Sequence, residues 1–355
     1  MSFPQIKGYE MLRQLGEGGM GTVYLARQIS LNRMVAVKVL PEALTDDPVY
    51  VMRFRQEAKA AAQLNHNNLV QIYDAGIEDG VFYFVMEYVD GESAGRRVHR
   101  KGRLEEETTL LIGESVAAAL EYAWNNARLV HRDIKPDNIL IDGDGTVKIA
   151  DLGLAKIVGA GAGGITITKM MIGTPYYCSP EQARGESHID YHADIYALGA
   201  TMYHMVTGYV PFNEDSGVAA IMRNVTDFLP DPRERNPGLS ENLGWLLEIM
   251  MAKQPSDRQA DWAGVLADID RVLHGARPLT PPPPEGRSTV ARGARRLAPK
   301  PRPAPMPARP AKRLLRVFLV VASVCAVVLL AVWLKMELMH DAQPSTPPDA
   351  DLLLP

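Results

Sequence analysis

Apolar positions early in the chain recur with the two-residue period of a half-buried strand. Residues 22–26 and 35–39 (Val-Ala-Val-Lys-Val) read this way, and residues 69–73 and 81–87 add two more strands to complete a small sheet. Between them the spacing changes. Phe54, Ala58 and Ala61 fall on one side of a helix, giving residues 54–61 a face that packs on the sheet. Residues 108–125 predict a further helix, with Leu111, Ala118 and Tyr122 within a broad apolar face. Residues 139–141 and 147–149 flank Asp142-Gly143-Asp144-Gly145, the turn chemistry of a hairpin. The remaining ligands of a calcium loop, including its position-12 glutamate, are missing, so this is a plain turn.

The pattern then breaks. Residues 275–313 are dense in Pro, Arg, Ala and Lys, with Pro281 to Pro284 in an unbroken run. Such a composition has too few large apolar residues for a core and predicts an extended, partly polyproline spacer. Residues 317–334 contain no charge over 18 positions. As a helix they would span about 27 Å, close to the ~30 Å hydrocarbon core of a bilayer. A single transmembrane helix over 314–334 is therefore expected, with 335–355 as a short tail. Arg292, Arg295, Arg296, Lys300, Arg302, Arg309, Lys312, Arg313 and Arg316 precede the span, whereas Lys335 and then Glu337, Asp341, Asp349 and Asp351 follow it. The positive-inside rule puts the large N-terminal part in the cytoplasm of a single-pass inner-membrane protein. The small residues Ala322 and Ala326 would let two such helices approach, so the pattern admits a homodimer.

The net charge of −4 carries no signature of a nucleic-acid partner. Cys178 and Cys325 are the only cysteines, too few and too far apart for a disulfide framework or a zinc site. No basic stretch followed by an apolar core opens the chain, so no cleavable signal peptide is expected.

Chemistry concentrates in residues 131–138, His-Arg-Asp-Ile-Lys-Pro-Asp-Asn. Asp133 can accept the proton of an attacking hydroxyl, Lys135 can steady a phosphoryl group, and Asn138 can hold Mg²⁺. Upstream, Leu15-Gly16-Glu17-Gly18-Gly19-Met20-Gly21-Thr22-Val23 carries G-x-G-x-x-G, whose glycines let backbone N–H groups close over phosphates. A dinucleotide fingerprint would open a helix. Here a strand follows, which makes the loop a hairpin turn. Lys38 sits in an apolar strand, where an unpaired ammonium is costly, so it requires anionic partners.

These motifs, in this order over residues 9–274, resemble the protein kinase domain of bacterial, eukaryotic-like, membrane-anchored serine/threonine kinases. The resemblance implies an α+β fold of two lobes, a β-rich N-lobe and a helical C-lobe, with ATP and Mg²⁺ between them. It implies a cover on ATP formed by Leu15, Gly16, Glu17, Gly18, Gly19, Met20, Gly21 and Val23. Lys38 would contact the α- and β-phosphates and pair with Glu57, and Met86, Glu87 and Val89 would line or bond the adenine. Asp133 and Lys135 would be catalytic, and Asn138 and Asp151 would hold the metal. Asp151-Leu152-Gly153 has Leu152 where the commoner pattern has Phe. Residues 154–179 resemble an activation segment, with Thr166 and Thr168 as phosphorylation sites that Arg132 could receive. Within it, Thr174 resembles the threonine that bonds the catalytic Asp and Lys. Glu181 with Arg258 and Asp194 resemble the family's structural braces, and His131 is expected to be a packed brace. Protein Ser/Thr hydroxyls would be the substrates. A membrane-tethered pseudokinase or ATP-binding scaffold is the rival, but it would be expected to lack one of Lys38, Asp133, Asn138 or Asp151. A small-molecule kinase is disfavoured by the long activation segment.

Overall fold

The computed structural model describes residues 3–18, 21–40, 58–78, 80–152, 175–212 and 217–284, all within the first of two compact units, Met1–Gly293. Gly19, Met20, Glu57, Thr166, Thr168, Thr174 and residues 285–355 lie outside the described residues. No helix among the described residues is long and apolar enough to cross a membrane.

The strands β1 (Tyr9–Gly18), β2 (Gly21–Gln28), β3 (Arg33–Val39), β4 (Ile72–Glu78) and β5 (Val81–Glu87) form one antiparallel sheet in the order β1-β2-β3-β5-β4. Central β3 has the apolar alternation of a strand covered on both faces. Val35 and Val37 join Ile6, Ala26 and Val85 in one cluster, while Phe82, Phe84, Leu40 and Ala58 form another. Residues 58–62 are helical, and Ala58 and Ala61 are buried. The strand expected at 69–73 runs instead over Ile72–Glu78. It is an edge strand whose exposed positions are Tyr73, Asp74 and Ile77, so its apolar residues are not confined to a buried face and apolar alternation does not mark it. Leu69, which drew the reading upstream, is buried and bridges Ile149.

β1 and β2 form the glycine-loop hairpin, with Gly18 opposite Gly21. Gly21 has φ +118°, and a Cβ there would lie 2.1 Å from the Val39 carbonyl oxygen, so no side chain fits.

The chain then leaves the sheet through β6 (Gly91–Ser93) into α1 (Ala94–Lys101) and the long α2 (Glu106–Ala127). β7 (Ile139–Asp142) and β8 (Val147–Ile149) make the expected hairpin, and β7 pairs with β6. Beyond lie α3 (Pro180–Ala183), α4 (Tyr191–Thr207), α5 (Gly217–Thr226), α6 (Pro232–Arg235), α7 (Glu241–Met250) and α8 (Trp262–Leu273). α4 is buried on every side, as a helix at the centre of a helical layer must be. It packs against α2 and α7, and α8 covers α2. Asp190 caps its start and left-handed Gly208 ends it.

Residues 275–284, expected to begin the spacer, lie along the helical layer. The Asp268 carboxylate, fully buried, accepts the N–H groups of Leu279 (2.6 Å) and Thr280 (3.3 Å). Arg277 sits 4.2 Å over the Trp245 ring, and Pro283 is buried. Composition could not show this, because the anchoring groups belong to helices distant in sequence.

Glu181 and Arg258 pair inside the helical layer with two bonds of 2.6 and 2.9 Å. Arg258 also donates to the carbonyls of Ala252 and His192, so its fork is nearly spent. Burial alone would raise the Glu181 carboxyl. The guanidinium outweighs it and holds the group below the usual carboxylate range. Arg258→Ala should cost about 3–5 kcal/mol by stranding a buried carboxylate, and an apolar replacement of both partners should recover most of it. Because the pKa is depressed, the pair's contribution is complete above the unfolded carboxylate range and is lost as pH falls through the folded value. Urea unfolding of both variants from neutral to acid pH checks this; a neutral-pH loss for Arg258→Ala below about 1 kcal/mol, the scale of an exposed pair, contradicts it.

Candidate active site

The loop from His131 to Asn138 is held from beneath by one side chain. Asp194, near the start of α4 and fully buried, accepts the backbone N–H of His131 at 2.7 Å and of Arg132 at 2.8 Å. Burial raises this carboxyl, and the two N–H bonds oppose the rise. Arg132 is thereby kept at φ +68°, a left-handed conformation that a side chain disfavours. His131 is completely buried, and its Nε2 lies 2.9 Å from the Ala150 carbonyl oxygen. That oxygen only accepts, so Nε2 carries the proton and Nδ1 is left to accept from Asp133 N–H at 3.3 Å.

Asp133 is mostly buried and is approached by two donors. Lys135 Nζ lies 2.7 Å from its Oδ2, and Asn138 Nδ2 donates to the same oxygen at 3.1 Å and to the Asp133 carbonyl at 2.8 Å. Spending Nδ2 this way turns the Asn138 amide oxygen away from Asp133. The Asn138 carbonyl in turn accepts Ala150 N–H at 2.8 Å, which sets Asp151 immediately beside this loop. Asp151 has φ +63°. Two backbone positions in the left-handed region thus aim neighbouring side chains into one cleft.

From the sheet, period-two alternation puts Lys38 on the same face as its cross-strand neighbours Val23 and Phe84. Lys38 is buried and donates to Asp151 Oδ2 at 2.7 Å. Burial would raise Asp151, but the Lys38 ammonium outweighs it and holds the carboxyl low. The anionic partner that Lys38 requires is therefore Asp151; Glu57 lies outside the described residues.

Of the expected cover residues, Leu15 is half-buried, and Gly16, Glu17 and Gly18 are exposed. A Cβ at Gly16 or Gly18 would meet nothing within 4 Å, so this backbone is open to approach. Met86 is buried opposite Ala36. Glu87 spends its N–H on the Gln71 carbonyl at 2.8 Å and its carboxylate on Lys148 at 3.0 Å, which leaves its carbonyl as the atom a ligand could use. Val89 has no backbone hydrogen-bond partner among the described residues. Behind Met86 lies a cavity of about 20 Å³ lined by Ala61, Leu64, Leu69, Ile72 and Leu152. Leu152 is buried there, packing in the way its apolar character allows.

Sequence reasoning missed Gln182. Its Nε2 donates to the Arg132 carbonyl at 3.3 Å while its Oε1 accepts Ser179 N–H at 3.1 Å. The Ser-x-x-Gln capping box was visible in the sequence, but its contact with the loop was not. Lys148, which fixes Glu87, was also missed, having no local signal.

Residues 9–267 match the protein kinase domain family, and the chain belongs to it. A probable serine/threonine-protein kinase of Clostridium perfringens is 39% identical over 264 residues, 74% of this chain and 38% of the relative. Serine/threonine-protein kinase PknB of Mycobacterium tuberculosis is 39% identical over 277 residues, 77% of this chain and 44% of PknB. The chain thus spans less than half the length of these relatives. The PknI kinase domain of Mycobacterium tuberculosis superposes with a TM-score of 0.61 at 29% identity, covering 75% of this chain and 97% of that domain.

Replacing Asp194 by Asn exchanges one acceptor oxygen for a donor facing an N–H. Asp194→Asn should cost about 1–3 kcal/mol and speed amide hydrogen exchange at His131 or Arg132. Exchange mass spectrometry of the loop peptide measures it, and unchanged protection there would show that the carboxylate does not hold the loop.

Proposed function

We propose that this chain is a serine/threonine protein kinase that transfers the γ-phosphoryl group of ATP to protein hydroxyls. The observation that carries the reading is the convergence of Lys38, Asp151, Asn138, Lys135 and Asp133 through bonds of 2.7–3.1 Å. Family membership and the printed names of the relatives support it.

The substrate hydroxyl oxygen bonds to the γ-phosphorus as the bridging P–O bond to ADP breaks, and the hydroxyl proton passes to Asp133. Lys135 and Asn138 hold that carboxylate in place, and Lys135 can turn its ammonium toward the moving phosphoryl oxygens. Lys38 lies in the sheet, where it can neutralise the other phosphates. The Asp151 carboxylate and the free Asn138 amide oxygen are hard donors suited to Mg²⁺, with phosphate oxygens completing the shell. When bound, the ion adds positive charge where the phosphates gather. The pseudokinase reading meets an obstacle, since Lys38, Asp133, Asn138 and Asp151 are all present, in two bonded pairs linked by the Ala150 N–H to Asn138 carbonyl bond.

Arg132 supports activation-segment phosphorylation as the switch. Its Nε is buried without a hydrogen-bond partner among the described residues, which suits it to receive a phosphothreonine at Thr166 or Thr168. Full chain with labelled ATP and Mg²⁺ should incorporate phosphate, mapped by mass spectrometry to one of those threonines. Asp133→Asn should lower the rate by about 10²–10⁴-fold; equal incorporation removes Asp133 from its role, and phosphate only elsewhere removes the switch.

The charge-free stretch 317–334 and its basic N-terminal flank support a membrane anchor with the kinase on the cytoplasmic side. Full chain should stay with membranes through an alkaline carbonate wash, and a form ending at residue 313 should be released. Release of both would end the anchoring proposal. Self-association through Ala322 and Ala326 belongs to the same proposal, and a monomeric mass in detergent would remove it.

A further inference from the structure

Between residues 96 and 103 the sequence reads Arg-Arg-Val-His-Arg-Lys-Gly-Arg, five Arg/Lys and one His in eight positions within a chain of net charge −4. This run is the body of α1 and the turn after it. Ala94 and Val98 are the buried stripe; Arg96, His99, Arg100, Lys101 and Arg103 are exposed.

Helix stability explains only part of this charge. Arg97 and Arg100 share Glu92, at 2.9 and 2.7 Å. His99, Arg100 and Lys101 stand in the last turn, where the helix dipole favours cations. Arg96 stands in the first turn, where the dipole disfavours a cation, and no acidic residue there offsets it. Arg103 follows the helix. Arg96, His99, Lys101 and Arg103 form no ion pair among the described residues. Of the acidic residues that come next, Glu106 is bound to Ser240 N–H (2.8 Å) and to its hydroxyl, and Glu105 and Glu107 form no ion pair among the described residues.

The position of α1 says what this charge can serve. The helix packs on the 3-10 turn Pro136–Asn138 that ends the catalytic loop. Contact is so close that a Cβ on Gly95 would lie 2.3 Å from Asp137 Oδ1. At 1.5 Å per residue Lys101, at the basic end of α1, is about 9 Å further on from Gly95. An extended peptide covers that distance in roughly three residues.

We propose that this surface is a docking site for an acidic segment of the protein substrate, about four to six residues from the phosphorylated hydroxyl. The inference rests on the kinase reading above. Charge complementarity selects an acidic partner, and adjacency to the loop that carries Asp133 selects the polypeptide being phosphorylated.

The test compares two threonine peptides with the full chain in nonionic detergent, one with four Asp/Glu placed five residues from the threonine and one with Gln in their place. The acidic peptide should have the lower KM, with an advantage that shrinks as salt is raised. Arg96→Glu, Lys101→Glu and Arg103→Glu combined should raise its KM about tenfold, with kcat unchanged and the Gln peptide unaffected. Tenfold corresponds to about 1.4 kcal/mol shared among three exposed charges. Anisotropy of the labelled acidic peptide reads the same discrimination without turnover, so a failure of the kinase reading is seen separately as binding without phosphorylation. Equal KM and equal binding for both peptides overturn the proposal. So does a variant that loses binding to phosphatidylserine vesicles while peptide KM stays put, which would make the surface membrane-facing.

Discussion

A buried carboxylate accepting two consecutive backbone N–H groups is what the active region rests on. Asp194 stands on a helix enclosed by its neighbours, so the carboxylate cannot relax by moving toward solvent. It must be satisfied where it is, and the N–H groups of His131 and Arg132 do so. This fixes the loop's register on the helical layer. It also sustains the left-handed turn at Arg132 that brings Asp133 upward. Gln182 holds the same turn from its carbonyl side. The loop is therefore irregular in backbone but constrained at both ends of its peptide groups.

The second constraint crosses between layers. Lys38 lies in an apolar sheet and Asp151 at the end of a hairpin in the helical region, and burial makes each intolerant of being alone. Their pairing ties the sheet to the end of the β7–β8 hairpin. In a nucleotide complex the same two charges would be offered to phosphates and cation. A low carboxyl pKa at Asp151 keeps it ionised, which a hard cation requires. The basic surface on α1 lies beside this arrangement, packed on the turn that ends the loop.

How legible was all this in advance? β3, β5, the β7–β8 hairpin and α2 were readable because burial on one or both faces imposes a clean period on their residues. β4 was misplaced by a few positions because it is an edge strand whose apolar residues, Tyr73 and Ile77 among them, are partly exposed and keep no clean period. β1 showed no apolar alternation for the same reason. The candidate site residues Lys38, Asp133, Lys135, Asn138 and Asp151 were legible because the proposed phosphoryl chemistry would demand particular groups at short spacings. Gln182, Lys148 and the Asp268 anchor were not, since each acts on a partner many residues away and nothing local betrays it.

Residue order alone determined the kinds of chemistry available: a loop with aspartate, lysine and asparagine at short spacing, a lysine in an apolar strand, a glycine hairpin, and a basic run at residues 96–103. Those follow from covalent neighbours and from periodicity, both local. Tertiary structure decided which anion meets Lys38, which tautomer His131 adopts, where the Asn138 oxygen points, and that residues 275–284 stay on the helical layer. Each is the outcome of a buried polar group choosing its partner among all atoms within reach, a competition that no stretch of sequence contains.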